Sequence, residues 1–194
     1  MNTYQFNVSD IRQYTGKLTA GDRVFLTGTV YTARDAAHKR IIELLDSGRP
    51  LPFNLVNAVI YYAGPTPARP VLDLTTPGQD NNKIGACGPT TSSRMDAFAP
   101  RLYDLGLAAT VGKGERNSSV AQAIIRNNAT YFCAVGGAGA LISRHIKNAE
   151  EIAFTELGCE SVKKLTVEDM PLIVALDRYG GDIFKEGRDK YRLA

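Results

Sequence analysis

The segment "RVFLTGTVYTARDAAHKRIIELLDSGRP" (residues 23–50) constrains the fold more than any other stretch. A β-branched, apolar run at 23–30 passes directly into a helical repeat, with Ala37, Ile41, Leu44 and Leu45 on one face. Gly48 and Pro50 stand where such a helix should stop. "NAVIYYAG" (57–64) is a second strand, rich in β-branched and aromatic residues.

The alternation continues down the chain. After a long loop comes a helix with Met95, Phe98, Leu102 and Leu105 on one face and Gly106 as its stop. "LAATVGKG" (107–114) is a strand ending in a Gly-Lys-Gly turn, "SSVAQAIIRNN" a helix and "TYFCAVGG" a strand. "AGALISRHIKNAE" (138–150) is expected to be a helix, and a strand at 171–177 closes the pattern. Alternating strands and helices make an α/β fold with a mixed, partly parallel sheet and flanking helices. Neither a repeat nor a domain boundary is visible, so one domain is expected over 1–194. Residues 1–18 and 185–194 read as peripheral tails, the charged end fraying.

A 194-residue chain, 44% hydrophobic and 22% charged, suits a soluble domain with a sizeable core. The net charge of +3 comes from scattered lysines and arginines, which argues against a nucleic-acid partner. No apolar run is long enough to span a bilayer, and "MNTYQFNVSD" has no signal-peptide pattern. A cytoplasmic protein without a membrane partner is expected. Cys87, Cys133 and Cys159 are odd in number, distant and without CxxC spacing, so they frame neither disulfides nor a self-contained zinc site.

Three turns share one chemistry. In "YTARDAAH", Thr32 and Asp35 have capping-box spacing, which places Arg34 at a helix start and His38 one turn further on. An arginine there opposes the helix dipole and needs another reason to be present. In "GPTTSSRMD", Ser93 and Asp96 form a second capping-box match, Gly88-Pro89 sets the turn, and Thr90, Thr91 and Arg94 are left over. In "GKGERNSS", Lys113 lies between glycines that let the backbone approach a ligand. Neither this turn nor "GGAGALI" fits a phosphate-loop template, which argues against nucleotides. Three cations after strands suit a small polyanion such as a di- or tricarboxylate.

"TGTVYTARDAAHKR", "GPTTSSRMD", "GKG" and "AVGGAGALI", in that order, resemble the β subunit of two-subunit class I fumarate hydratases. The same unit forms the C-terminal domain of the single-chain enzymes, and the β subunit of L-tartrate dehydratase is similar. The resemblance covers about Gly21 to Gly181. It implies a swivelling β/β/α domain in a hydro-lyase that interconverts fumarate and L-malate. It also implies a heterodimer or heterotetramer with an α subunit whose cysteines hold a 4Fe-4S cluster, with no metal on this chain. Matched motif by motif, Arg34, Arg94 and Lys113 are expected to bind substrate carboxylates. Thr90 is the candidate base, needing activation by a neighbour because a threonine hydroxyl is a poor base. Thr32, Asp35, His38, Gly88, Thr91, Ser93 and Asp96 are expected to support them. "TARDAAHKR" is closer to fumarases than to tartrate dehydratases, whereas 66–86 departs from the family pattern and is where specificity is expected to shift. Two other readings stay open: a dehydratase for tartrate or a related 2-hydroxy dicarboxylate, and a stand-alone small-anion-binding domain.

Overall fold

The computed structural model describes residues 1–67 and 84–192, so most of the loop 66–86 lies outside the described residues. Seven strands make one mixed sheet: β1 (Thr3–Asn7), β2 (Arg23–Thr32), β3 (Val59–Tyr61), β4 (Ala109–Gly112), β5 (Thr130–Cys133), β6 (Ile146–Ala153) and β7 (Val162–Leu176). Their order is β1-β2-β3-β4-β5-β7-β6, parallel from β1 to β5, with β7 antiparallel to both β5 and β6. β7 also pairs antiparallel with β2, so β2, β3, β4, β5 and β7 close into a ring.

Side chains alternate across this ring, as strand geometry requires. Val30, Val59, Tyr61, Val111, Phe132 and Val174 belong to one buried cluster. Ile60, Tyr62 and Tyr131 point the other way, under the helices α2 (Asp35–Asp46), α3 (Ala99–Asp104) and α4 (Ser118–Arg126). Ala37 and Ile41 of α2, Leu102 of α3 and Val120 and Ile124 of α4 complete that second cluster, with the apolar helical stripes turned inward.

The structure corrects several expectations. The N-terminal segment is not a peripheral tail: β1 pairs with β2, and Ile11 and Leu18 are fully buried. Arg12, on the short helix α1 (Ile11–Thr15), explains why it is held. Its guanidinium donates to Asn57 Oδ1 (2.8 Å), Gly106 O (2.7 Å) and Asn127 O (2.9 Å), tying together the turns that enter β3, β4 and β5. At the other end, residues 183–191 form a helix rather than a fraying tail, with Asp182 Oδ1 accepting from the amides of Phe184 and Lys185. The helix expected at 138–150 stops early. Only Gly139–Ser143 is helical, and the rest joins β6, whose exposed Lys147, Glu150 and Glu151 suit a charged edge strand. The closing strand begins at Val162 instead of 171, because the charged residues of "VKKLTVEDM" alternate with the buried Val162, Leu165 and Val167. The helix through Met95 and Leu105 is split into a 3-10 turn, Ser92–Met95, and α3, which restarts around Pro100, and Leu105 is exposed. Among the described residues no helix is long and apolar enough to cross a membrane.

Candidate functional site

β2, β3 and β4 are parallel neighbours, so their carboxyl ends emerge side by side. Arg34, Gly64 and Lys113 follow those three strands, at the carboxyl ends where parallel strands of α/β folds present ligand-binding loops. Residues 90–92 insert between the ends of β3 and β4. Thr90 N donates to Tyr62 O (2.7 Å), Lys113 N to Thr90 O (3.3 Å) and Ser92 N to Lys113 O (2.9 Å). The backbone therefore brings Thr90 and Lys113 together.

Gly112 permits this approach. A Cβ there would lie 2.0 Å from Ser92 Oγ and 2.9 Å from Tyr62 Cδ2. Ser92 is buried and held by the Tyr131 hydroxyl at 2.8 Å, so it has little room to yield. The close approach at this glycine is thus to Ser92, not to a ligand, while Gly114 is needed for its φ of +78°. Gly112→Ala is expected to cost about 1–3 kcal/mol, and each kcal/mol should lower the melting temperature by about 2–4 °C in a thermal scan.

The 3-10 turn 92–95 carries Arg94 towards the start of α2, where its Nε lies 2.9 Å from Asp35 Oδ1. Arg34 Nη2 lies 3.1 Å from Glu160 Oε1, and its guanidinium covers Gly64, where a Cβ would meet Nη1 at 2.8 Å. Among the described residues the Lys113 ammonium has no ion-pair partner and the Thr90 hydroxyl no hydrogen bond. The candidate site thus offers two arginines, each paired with one acid, and a lysine with no acid partner among the described residues.

Both capping boxes dissolve. Thr32 ends β2, donating to Ser161 O (3.2 Å) and accepting from Lys163 N (2.9 Å), so it ties β2 to β7 rather than capping α2. Ser93 and Thr91 are exposed, and the 3-10 turn has no side-chain cap. Asp96 is spent on Arg116 and on the Asn117 amide (2.7 Å). Gly88 packs against Gly139: a Cβ on Gly88 would lie 3.4 Å from Gly139 Cα and one on Gly139 3.0 Å from Gly88 N, and Cys87 N donates to Gly139 O (3.0 Å).

His38 is fully buried beside Tyr62 and Phe98. Its Nδ1 sits 2.8 Å from Arg34 O; since a carbonyl only accepts, Nδ1 carries the proton, and Nε2 has no partner among the described residues. Burial, reinforced by the Arg116 charge, lowers its pKa to about 4. The imidazole is neutral at pH 7 and supports the Arg34 backbone from behind. The unfolded chain protonates this histidine near pH 6.5 while the folded chain does not, so stability falls as pH drops from about 6.5 to about 4. Urea unfolding at stepped pH should show a shallower slope in His38→Gln across that window.

Arg116 had no place among the sequence candidates. It is buried, 2.6 Å from Asp96 Oδ1, and sandwiched near the Tyr62 and Tyr131 rings. Burial alone lowers its pKa; the neighbouring Tyr62, Tyr103 and Asp96 outweigh that, and the net shift is upward. In sequence its partner Asp96, 20 residues earlier, matches a local capping box, which hides the pair. Glu160 gave no local signal at all, being 126 residues from Arg34 in sequence.

Cys87 is buried, Cys133 partly buried and Cys159 exposed, each in a different part of the fold. Among the described residues no three His, Cys, Asp or Glu side chains group to hold a metal ion.

The sequence matches the family described as Fumarase C-terminus over residues 2–187. The chain belongs to this family. Fumarate hydratase 2 of Leishmania major is 35% identical over 181 residues, covering 92% of this chain and 30% of that protein. The anaerobic class I fumarate hydratase of Escherichia coli is 36% identical over 168 residues, 84% of this chain and 28% of that one. The L(+)-tartrate dehydratase subunit beta of Escherichia coli is 32% identical over 174 residues, 88% of this chain and 81% of the relative. The chain therefore spans about 30% of the length of its fumarate hydratase relatives and most of the tartrate dehydratase subunit.

Proposed function

We propose that this chain is the β subunit of a two-subunit hydro-lyase that interconverts fumarate and L-malate. The observation that supports the reading is the backbone pairing of Thr90 with Lys113 past β3 and β4, with Arg34 just past the neighbouring β2 and Arg94 paired to the adjacent Asp35. In it, Arg34 and Arg94 grip the substrate carboxylates, which match a guanidinium's paired donors, and Lys113 supplies a third positive charge. Thr90 faces the carbon that gains or loses a proton. Among the described residues its hydroxyl has no carboxylate partner, and Asp35 is occupied by Arg94; in this reading a carboxylate of the partner chain activates it.

The partner is an α subunit that holds the 4Fe-4S cluster. The fumarate hydratase relatives devote most of their length to sequence outside the matched part, and the tartrate dehydratase relative is named a beta subunit. Whole-length similarity to that subunit favours a second reading, the dehydration of tartrate or a related 2-hydroxy dicarboxylate. Comparing turnover of L-malate and L-tartrate by the assembled complex separates the two. Preference for L-malate supports the proposal, and preference for L-tartrate replaces it with the second reading.

A further inference from the structure

Arg34 opens α2 from the N-cap position, yet its side chain makes no cap hydrogen bond. The positive end of a twelve-residue helix repels a guanidinium, and its free amides lack acceptors. One side chain from the distant 3-10 turn 155–160 answers both problems. Glu160 Oε2 accepts from Ala36 N at 3.2 Å, while Oε1 lies 3.1 Å from Arg34 Nη2. The two side chains are only 20% and 22% exposed, so this is not a solvent-screened surface pair. Glu160 engages Nη2, Gly64 backs Nη1, and Nε is buried with no partner among the described residues, so the guanidinium is held at one end and keeps donors to spare.

We infer that Glu160 is a positioning residue that clamps the Arg34 guanidinium and aims its remaining donors at a substrate carboxylate. This rests on the proposed dicarboxylate site. It deepens that proposal by giving the arginine that opposes the helix dipole its counter-charge. It also divides the acids of the site between the two arginines, Asp35 holding Arg94 and Glu160 holding Arg34.

Glu160→Gln separates the clamp from the cap, because the amide oxygen still accepts from Ala36 N while the charge facing Arg34 is lost. In the assembled complex, KM for the dicarboxylate is expected to rise about tenfold with the melting temperature little changed. In an Arg34→Lys background the same substitution should add less than about twofold, since the two residues act as a unit. A KM unchanged by Glu160→Gln, or effects that simply multiply, would overturn the clamp. The chain alone offers an independent readout. The Arg34 Nε–H signal, assigned by its loss in Arg34→Lys, should shift in a nitrogen–proton spectrum of Glu160→Gln. An unshifted signal also overturns the clamp. A wild-type complex without turnover would overturn the proposed function instead, and the spectrum still decides the clamp.

Discussion

Asp96→Ala is expected to destabilise the fold by about 3–5 kcal/mol, the usual cost of leaving a buried charge unpaired. Asp96 holds Arg116 Nε at 2.6 Å and the Asn117 amide at 2.7 Å, with both side chains almost wholly buried. Removing the carboxylate strands a guanidinium among Tyr62, Tyr131 and Thr110 with no acid in reach among the described residues. The pair also links the turn that carries Arg94 to the turn that carries Lys113, so its loss should loosen the site as well as the core. Urea unfolding measures the cost, and a change under about 1 kcal/mol would contradict the account. Asp96→Ala combined with Arg116→Met should recover part of the loss, because a buried pair replaced by apolar groups is often near neutral.

Arg94→Ala is expected to lower kcat/KM of the assembled complex by about 30- to 1,000-fold, from losing about 2–4 kcal/mol of transition-state binding. The fold should tolerate it, since Arg94 is half exposed and its ion pair with Asp35 lies at the surface of the site. A normal unfolding curve with collapsed turnover is the predicted combination. Unchanged turnover would remove Arg94 from the site.

The sequence showed the β2–α2 unit, α4 and the strands β3, β4 and β5 because each pairs a clear period with a stop signal. β1 and β6 were hidden for a physical reason. Their exposed Gln5, Lys147, Glu150 and Glu151 break up any apolar run, and only pairing with β2 and β7 makes them strands. The positions of Arg34 and Lys113 after strands were legible, since strand ends and turn residues mark them locally, whereas Arg94 lies in the 3-10 turn Ser92–Met95 and follows no strand. The acids that pair with the arginines were not legible. Glu160 reaches Arg34 across the fold, and Asp96 matched a local capping box while its real partner lay 20 residues on. Capping-box spacing was also misleading at Thr32, where strand pairing to β7 claims the hydroxyl.

The most direct test of the central claim is anaerobic reconstitution with the matching α subunit, followed by the ultraviolet absorbance of fumarate. Neither chain alone should consume fumarate, the mixture should, and the mixture made with Arg94→Ala or Lys113→Ala should fall far below it. A mixture that leaves fumarate and L-malate untouched, or activity that survives both substitutions, would contradict the account.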